Sequence, residues 1–171
     1  CIYVLPRVFS QFKKEFPNVQ LHVNRSFGSE VVKAVVDNLA DFGITQLPVN
    51  EHKVQVAQIH TDEIKLVTLS DHPLARQKQV TAQDLIGERL LMPRSGTTRS
   101  RLNLWIGIVE DEINVSMELD STEMMKRFVL AGLGIKFLAE SYVADEVEAG
   151  RLAVVSLAPE KMVRRFGLIY R

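Results

Sequence analysis

The chain has 171 residues, 46% apolar and 25% charged, an ordinary globular composition that permits one domain or two small lobes. Its 21 Lys+Arg are matched by 21 Asp+Glu, which weighs against a self-sufficient nucleic-acid binder, normally a clearly basic protein. The only cysteine is Cys1 and the four histidines lack metal-ligand spacing, so an intrachain disulfide is excluded and a zinc enzyme disfavoured; no apolar run reaches the ~18 residues of a membrane-spanning helix.

The chain starts Cys-Ile-Tyr-Val, without a basic stretch followed by an apolar signal core, and reads as a piece of a longer cytosolic protein. Leu5, Val8, Phe9, Phe12 and Phe16 form one stripe of a 3.6-residue period, predicting a first helix whose Phe stripe is core and which Pro17-Asn18 stops. Val19, Leu21 and Val23 alternate with polar residues, the period of a strand. Gly28-Ser29-Glu30 opens a second helix carrying Val31, Val32, Val35, Val36 and Leu39, and 41–45 is a short buried strand. This α-β-α-β alternation predicts a mostly parallel sheet covered by helices.

Two strands, 54–59 and 64–69, follow with no helix between them, and a second α/β series begins near Ser70. Thr81 to Asp84 has the form of a capping box. Then come a strand at 89–92, the loop Pro93 to Thr98, and a helix lined by Leu102, Trp105, Ile106 and Val109. Val115, Met117 and Leu119 alternate in a strand, and Asp120 to Glu123 caps a helix buried through Met125, Phe128 and Val129. Gly132-Leu133-Gly134 stops that helix before the strand 135–138. A helix near 141–147 and strands near 152–155 and 166–170 complete the series.

Ligands of open α/β sheets sit beyond the carboxyl ends of strands, at helix N-termini, which directs attention to the strand-to-helix loops. Ser29 either caps its own helix, the commoner role of such a serine, or offers its hydroxyl to a ligand. The loop Arg94-Ser95-Gly96-Thr97-Thr98-Arg99 supplies amides, hydroxyls and two guanidinium groups before a helix, near whose N-terminus the cations Arg99 and Arg101 are unfavourable unless an anion visits. The alternative is a solvated basic face with Thr97 or Thr98 as cap. Between Arg76 and Trp105 there are six Lys/Arg against two Asp/Glu, followed by six acids and no base from Glu110 to Glu123. At 120–123 the acids already serve the helix, although Thr122 could point a hydroxyl at a ligand. Met124 and Met125 read as core, and no catalytic constellation or G-x-S-x-G elbow occurs.

Taken in order, several segments resemble the effector-binding domain of LysR-type transcriptional regulators. They are Leu5-Pro6-Arg7 with Phe12 and Phe16-Pro17, Gly28 before a helix, Ala40-Asp41-Phe42-Gly43-Ile44, and Asp71-His72-Pro73-Leu74-Ala75. The series continues with Asp84-Leu85, Ser121-Thr122-Glu123, Ala131-Gly132-Leu133-Gly134-Ile135 and Gly150-Arg151-Leu152. The resemblance implies a two-lobed α/β fold like type 2 periplasmic binding proteins, with mixed sheets, flanking helices and an inter-lobe cleft. Lobe I would hold 1–62 with 166–171 returning to it, and lobe II 63–165. Lobe I would be incomplete, lacking its first strand and last helix.

By the same resemblance, a small polar, anionic metabolite would meet Ile2 and Tyr3, Gly28 and Ser29, Thr45 and Gln46, Ser95 to Arg99, and Thr122. The protein would be a bacterial, cytoplasmic sensor, not an enzyme, with no cofactor, metal or membrane contact. It would form a homodimer or homotetramer, with Arg7, Gln11 and Lys14 on a pairing surface, and reach DNA only through a helix-turn-helix absent from this chain. The alternative of the same fold is a solute-binding protein of a transport system.

Overall fold

In a computed structural model describing residues 5–171, the first apolar stripe forms α1 (Leu5–Glu15). Among the described residues nothing buries it: Leu5, Phe9 and Phe12 are half-covered, and Val8 and Phe16 are 54% and 50% exposed. The stripe is therefore helical but not core, contrary to expectation. The 19–23 alternation also forms no strand, and its apolar residues are exposed. Alternation fixes only which face a side chain takes; a strand also needs a neighbouring backbone for its N–H and C=O groups. No described segment provides one.

The chain divides into two compact units, one of residues up to 61 with 164–171 and the other of 62–163. In the first, α2 (Gly28–Val36) packs on β1 (Gly43–Gln46), which runs antiparallel to β8 (Met162–Tyr170). Its core gathers Val35, Val54 and Ile169, with Val31, Val32 and Val36 against it. The helix stops at Asp37, and Asn38 takes a left-handed φ of 62° that turns the chain. Leu39 thus leaves the valine stripe and is 81% exposed.

The two strands expected around residues 54–69 are one, β2 (Gln55–Leu69). No Gly or Pro lies between 55 and 69, so nothing breaks the extended backbone. In the second unit its distal half pairs antiparallel with both β6 (Ile135–Ala139) and β7 (Leu152–Leu157). Parallel pairs join β4 (Arg89–Pro93) to β5 (Asn114–Leu119) and to β6, and β3 (Gln79–Val80) to β7. The sheet is therefore mixed rather than mostly parallel, because the long β2 and β8 run against their neighbours.

Alternation along these strands feeds two cores. Ile64, Leu66, Leu90, Met92, Ile135, Phe137 and Ala139 face α3 (Thr97–Ile106), with Leu102 and Ile106. Val67, Leu91 and Leu138 face the other way, toward Val129 of α4 (Thr122–Leu130) and Val147 of α5 (Ala144–Glu148). Helices on both faces leave no wet side, which is why these strands read as continuous apolar runs. α3 ends at Gly107, so Val109 is buried from a following 3-10 segment rather than from the helix. The capping box at Thr81 yields only a 3-10 turn: Asp84 accepts from the Thr81 N–H and hydroxyl, both at 2.7 Å, and these bonds hold its carboxyl below the usual range. Ile86 and Gly87, with φ +86°, end it at once. Met125 is buried as expected, whereas Met124 is 46% exposed.

Candidate functional site

In the first unit, Gly28 and Ser29 occupy the first turn of α2 and both are exposed. Ser29 is not the cap. That position falls to Phe27, which has no side-chain acceptor, so the first-turn amides lack a side-chain partner. Glu30 reaches back to the Phe27 N–H at 3.4 Å and also accepts from the Ser26 hydroxyl, and these two bonds hold its carboxyl below the usual range. Space at Gly28 is tight: a Cβ would stand 2.9 Å from Thr45 Oγ1, so that hydroxyl would have to shift. Thr45 and Gln46 close β1 opposite Gly167 and Phe166 of β8, with Thr45 buried and Gln46 half-buried. Ile2 and Tyr3 lie outside the described residues.

In the second unit, β4 and β5 are parallel neighbours with Pro93 beside Leu119, so both deliver the chain to the same edge. The Arg94 N–H donates to Leu119 O at 3.3 Å. The loops that follow open α3 and α4, which sets two helix N-termini, with their unpaired amides and positive dipole ends, next to each other. α3 is capped by Gly96 at φ +100°, without a side-chain acceptor, so neither Thr97 nor Thr98 is the cap. Ser95, Gly96 and Thr97 are exposed and Thr98 is half-buried. α4 is capped by Ser121, whose hydroxyl accepts from the Met124 N–H at 3.3 Å, leaving Thr122 as its first residue.

Arg99 is not an idle cation. Its Nη1 donates to Pro93 O at 2.9 Å and to Glu118 Oε1 at 2.5 Å, and its Nε to Asn103 Oδ1 at 2.9 Å. Arg101 donates to Val163 O at 2.8 Å, and Arg94 faces Asp120 at 3.4 Å. Two cations of the basic stretch, Arg94 and Arg99, are thus answered by Asp120 and Glu118 of the acidic stretch that follows it. What this edge presents is amides and hydroxyls, with Arg94, 65% exposed, as its most accessible guanidinium.

One chemically distinctive residue escaped the sequence reading. Lys136, in β6, is 2% exposed, and burial pushes its amine down to about 7. The signal was present: a lysine inside Ile135-Lys136-Phe137-Leu138-Ala139, a run with no polar phase, has no wet face to occupy. Among the described residues no three His, Cys, Asp or Glu gather into a metal-binding group, and no helix is long and apolar enough to cross a membrane.

The family profile described as the LysR substrate binding domain matches residues 1–171. The chain is 35% identical over 159 residues to the uncharacterized HTH-type transcriptional regulator YwqM of Bacillus subtilis, covering 89% of this chain and 53% of that protein. It is 25% identical over 170 residues to the HTH-type transcriptional activator CmpR of Synechocystis, covering 99% and 56%. It therefore spans just over half the length of these relatives. Among solved structures it is similar to a full-length OxyR variant from Pseudomonas aeruginosa (TM-score 0.82, 19% identity, 99% of this chain and 59% of that one). It also resembles the regulatory domain of MetR, a LysR family regulator from N. meningitidis (TM-score 0.75, 21% identity, 99% and 78%). At these identities the structural likeness shows the fold, which is periplasmic-binding-protein-like, mixed α/β with an open sheet.

Proposed function

The chain belongs to the LysR substrate binding domain family, and we propose that it senses a small polar, anionic metabolite for a bacterial, cytoplasmic LysR-type transcriptional regulator. The observation that carries the ligand class is the pairing of two helix N-termini at one edge of the second unit. Hydroxyls of Ser95, Thr97, Thr98 and Thr122, together with first-turn amides, suit carboxylate or similar oxygens. In the first unit Gly28, Ser29, Thr45 and Gln46 offer amides and hydroxyls, while Glu30 disfavours a second anionic group there. Arg99 serves this reading as a positioning residue, since its charge is met by Glu118.

Effector binding would bias the geometry of a homo-oligomer and so the placement of DNA-binding segments outside this chain. The uncovered stripe of α1, with Arg7, Gln11 and Lys14 exposed around it, supports self-association there. A solute-binding transport role is not favoured, because the matched relatives are named as transcriptional regulators. The test is a thermal-shift screen of small carboxylates and phosphates, followed by Thr97→Ala and Ser29→Ala. The ligand found should raise the melting temperature of the parent chain and do so less in each variant. An unchanged shift in both would overturn the placement.

A further inference from the structure

Lys136 is the second residue of β6, a strand whose five residues are all buried. The alternation that sends Ile135, Phe137 and Ala139 to one core turns Lys136 to the other, on the side of Leu138. Val67 of β2 and Leu91 of β4 flank it in the ladders. Its Nζ is set against Met125 Sδ of α4, a weak acceptor that cannot replace the hydration an ammonium gives up.

The charged groups on the elements around it are engaged with one another. Lys126 of α4 is held by Glu123 at 3.2 Å and by Glu146 of α5 at 3.1 Å, and Arg127 meets Glu123 at 3.5 Å. Lys65 of β2 is held by Glu140 at 2.6 Å. Among the described residues no carboxylate lies within ion-pairing distance of Lys136. With burial bringing its amine to about 7, both protonation states are populated near neutrality.

Met125 also closes the first turn of α4, its backbone N–H donating to Ser121 O at 3.0 Å. A group that presses on the Met125 side chain therefore bears on the turn that holds Ser121 and Thr122. The amine and the ammonium make different demands there. The neutral amine tolerates a thioether neighbour, whereas the ammonium draws in water or an acceptor. Val67 and Leu91 are fixed by ladders on both sides, so the helix is the element that yields.

We propose that Lys136 is a proton-binding site whose charging displaces the first turn of α4, transmitting proton uptake in the core to Ser121 and Thr122. The proton comes from solvent and returns to it, and no other bond changes. Any effect on effector affinity rests on the proposed role of Thr122; the proton site and its coupling to α4 do not.

The test is an NMR pH titration of the full chain with isotope-labelled lysine side chains and backbone amides, without ligand. Lys136 should titrate within about one unit of pH 7, and the amides of Ser121, Thr122 and Met125 should follow the same midpoint. In Lys136→Met those amides should stay flat across that range. A Lys136 midpoint above about 9.5 overturns the proposal, as do first-turn amides that stay still in the parent chain or titrate unchanged in the variant. Should Lys136→Met fail to fold, the two titrations of the parent chain decide. Failure would leave the effector assignment standing, because that is tested by ligand-induced melting shifts.

Discussion

Arg99 Nη1 stands 2.5 Å from Glu118 Oε1, and the same guanidinium ties the end of β4, through Pro93 O, to Asn103 within α3. An arginine near a helix N-terminus opposes the dipole, a cost of ~0.3–1 kcal/mol that invites an anion. Here the anion is a side chain from the neighbouring strand. Arg99 is 20% exposed and Glu118 45%, so the pair is partly screened, and the two neutral acceptors add geometric rather than electrostatic weight. Arg99→Ala should lower stability by about 1–2 kcal/mol in urea unfolding, with Arg99→Lys intermediate because one ammonium nitrogen cannot span the acceptors that Arg99 meets from Nε and Nη1. An unchanged midpoint in Arg99→Ala would mean that the guanidinium is available to a ligand instead.

The close approach of Gly28 to Thr45 sets up a double-mutant cycle. Gly28→Ala gains helix propensity, worth up to ~1 kcal/mol, but places a Cβ at 2.9 Å from Thr45 Oγ1 on a buried side chain. The clash should win, so Gly28→Ala destabilises the parent chain by about 1 kcal/mol. In a Thr45→Ala background the obstructing hydroxyl is gone, and the same change should be neutral or stabilising. Additive effects measured by thermal unfolding would show that the two sites do not touch.

What could be read in the sequence was whatever depends on a side-chain period. The valine stripe of α2, the alternation along β5 and the 120–123 helix start all follow from local spacing, and the structure places them within a few residues. What could not be read depends on partners distant in sequence. Val19, Leu21 and Val23 have a strand's period but no backbone beside them among the described residues, and residues 54–69 look like two strands until β6 and β7 pair with the distal part. The loop residues at 95–98 and 122 were each legible as candidates. That they meet at one edge follows from the parallel β4–β5 register, which no local pattern encodes. The partner of Arg99 was hidden for the same reason.

Gly134 and Gly132 stand two residues apart and separate two reasons for glycine. Gly132 needs its conformation, with φ +72° in the helix stop; a Cβ there meets only Leu69 Cδ1 at 3.8 Å. Gly134 needs the space, because a Cβ would lie 2.4 Å from the backbone carbonyl oxygen of Arg89, which cannot rotate away. Gly132→Ala should cost about 1 kcal/mol, the ordinary penalty of a left-handed non-glycine residue. Gly134→Ala should cost about 3 kcal/mol or more, since β4 and β6 must part where they pair. Denaturant unfolding that ranks the two the other way would contradict the close approach.

Lys136 also fixes how stability depends on pH. In the unfolded chain its amine titrates near the ordinary 10.5, and in the folded chain at about 7. Below about pH 7 both states hold the proton, and the cost of a buried ammonium is constant. Between the two values the unfolded chain holds a proton that the folded chain has released, so stability rises with pH. The slope from this one group is at most ~1.4 kcal/mol per pH unit. Above 10.5 both states are neutral and its contribution levels off. Lys136→Met, which keeps the length and apolar stem of the side chain, should remove that slope and should be more stable than the parent chain at pH values below about 7. Urea unfolding of both chains across this range measures the difference directly. Parallel curves would show that the amine keeps its proton in the folded protein, and therefore that water or a carboxylate reaches it there.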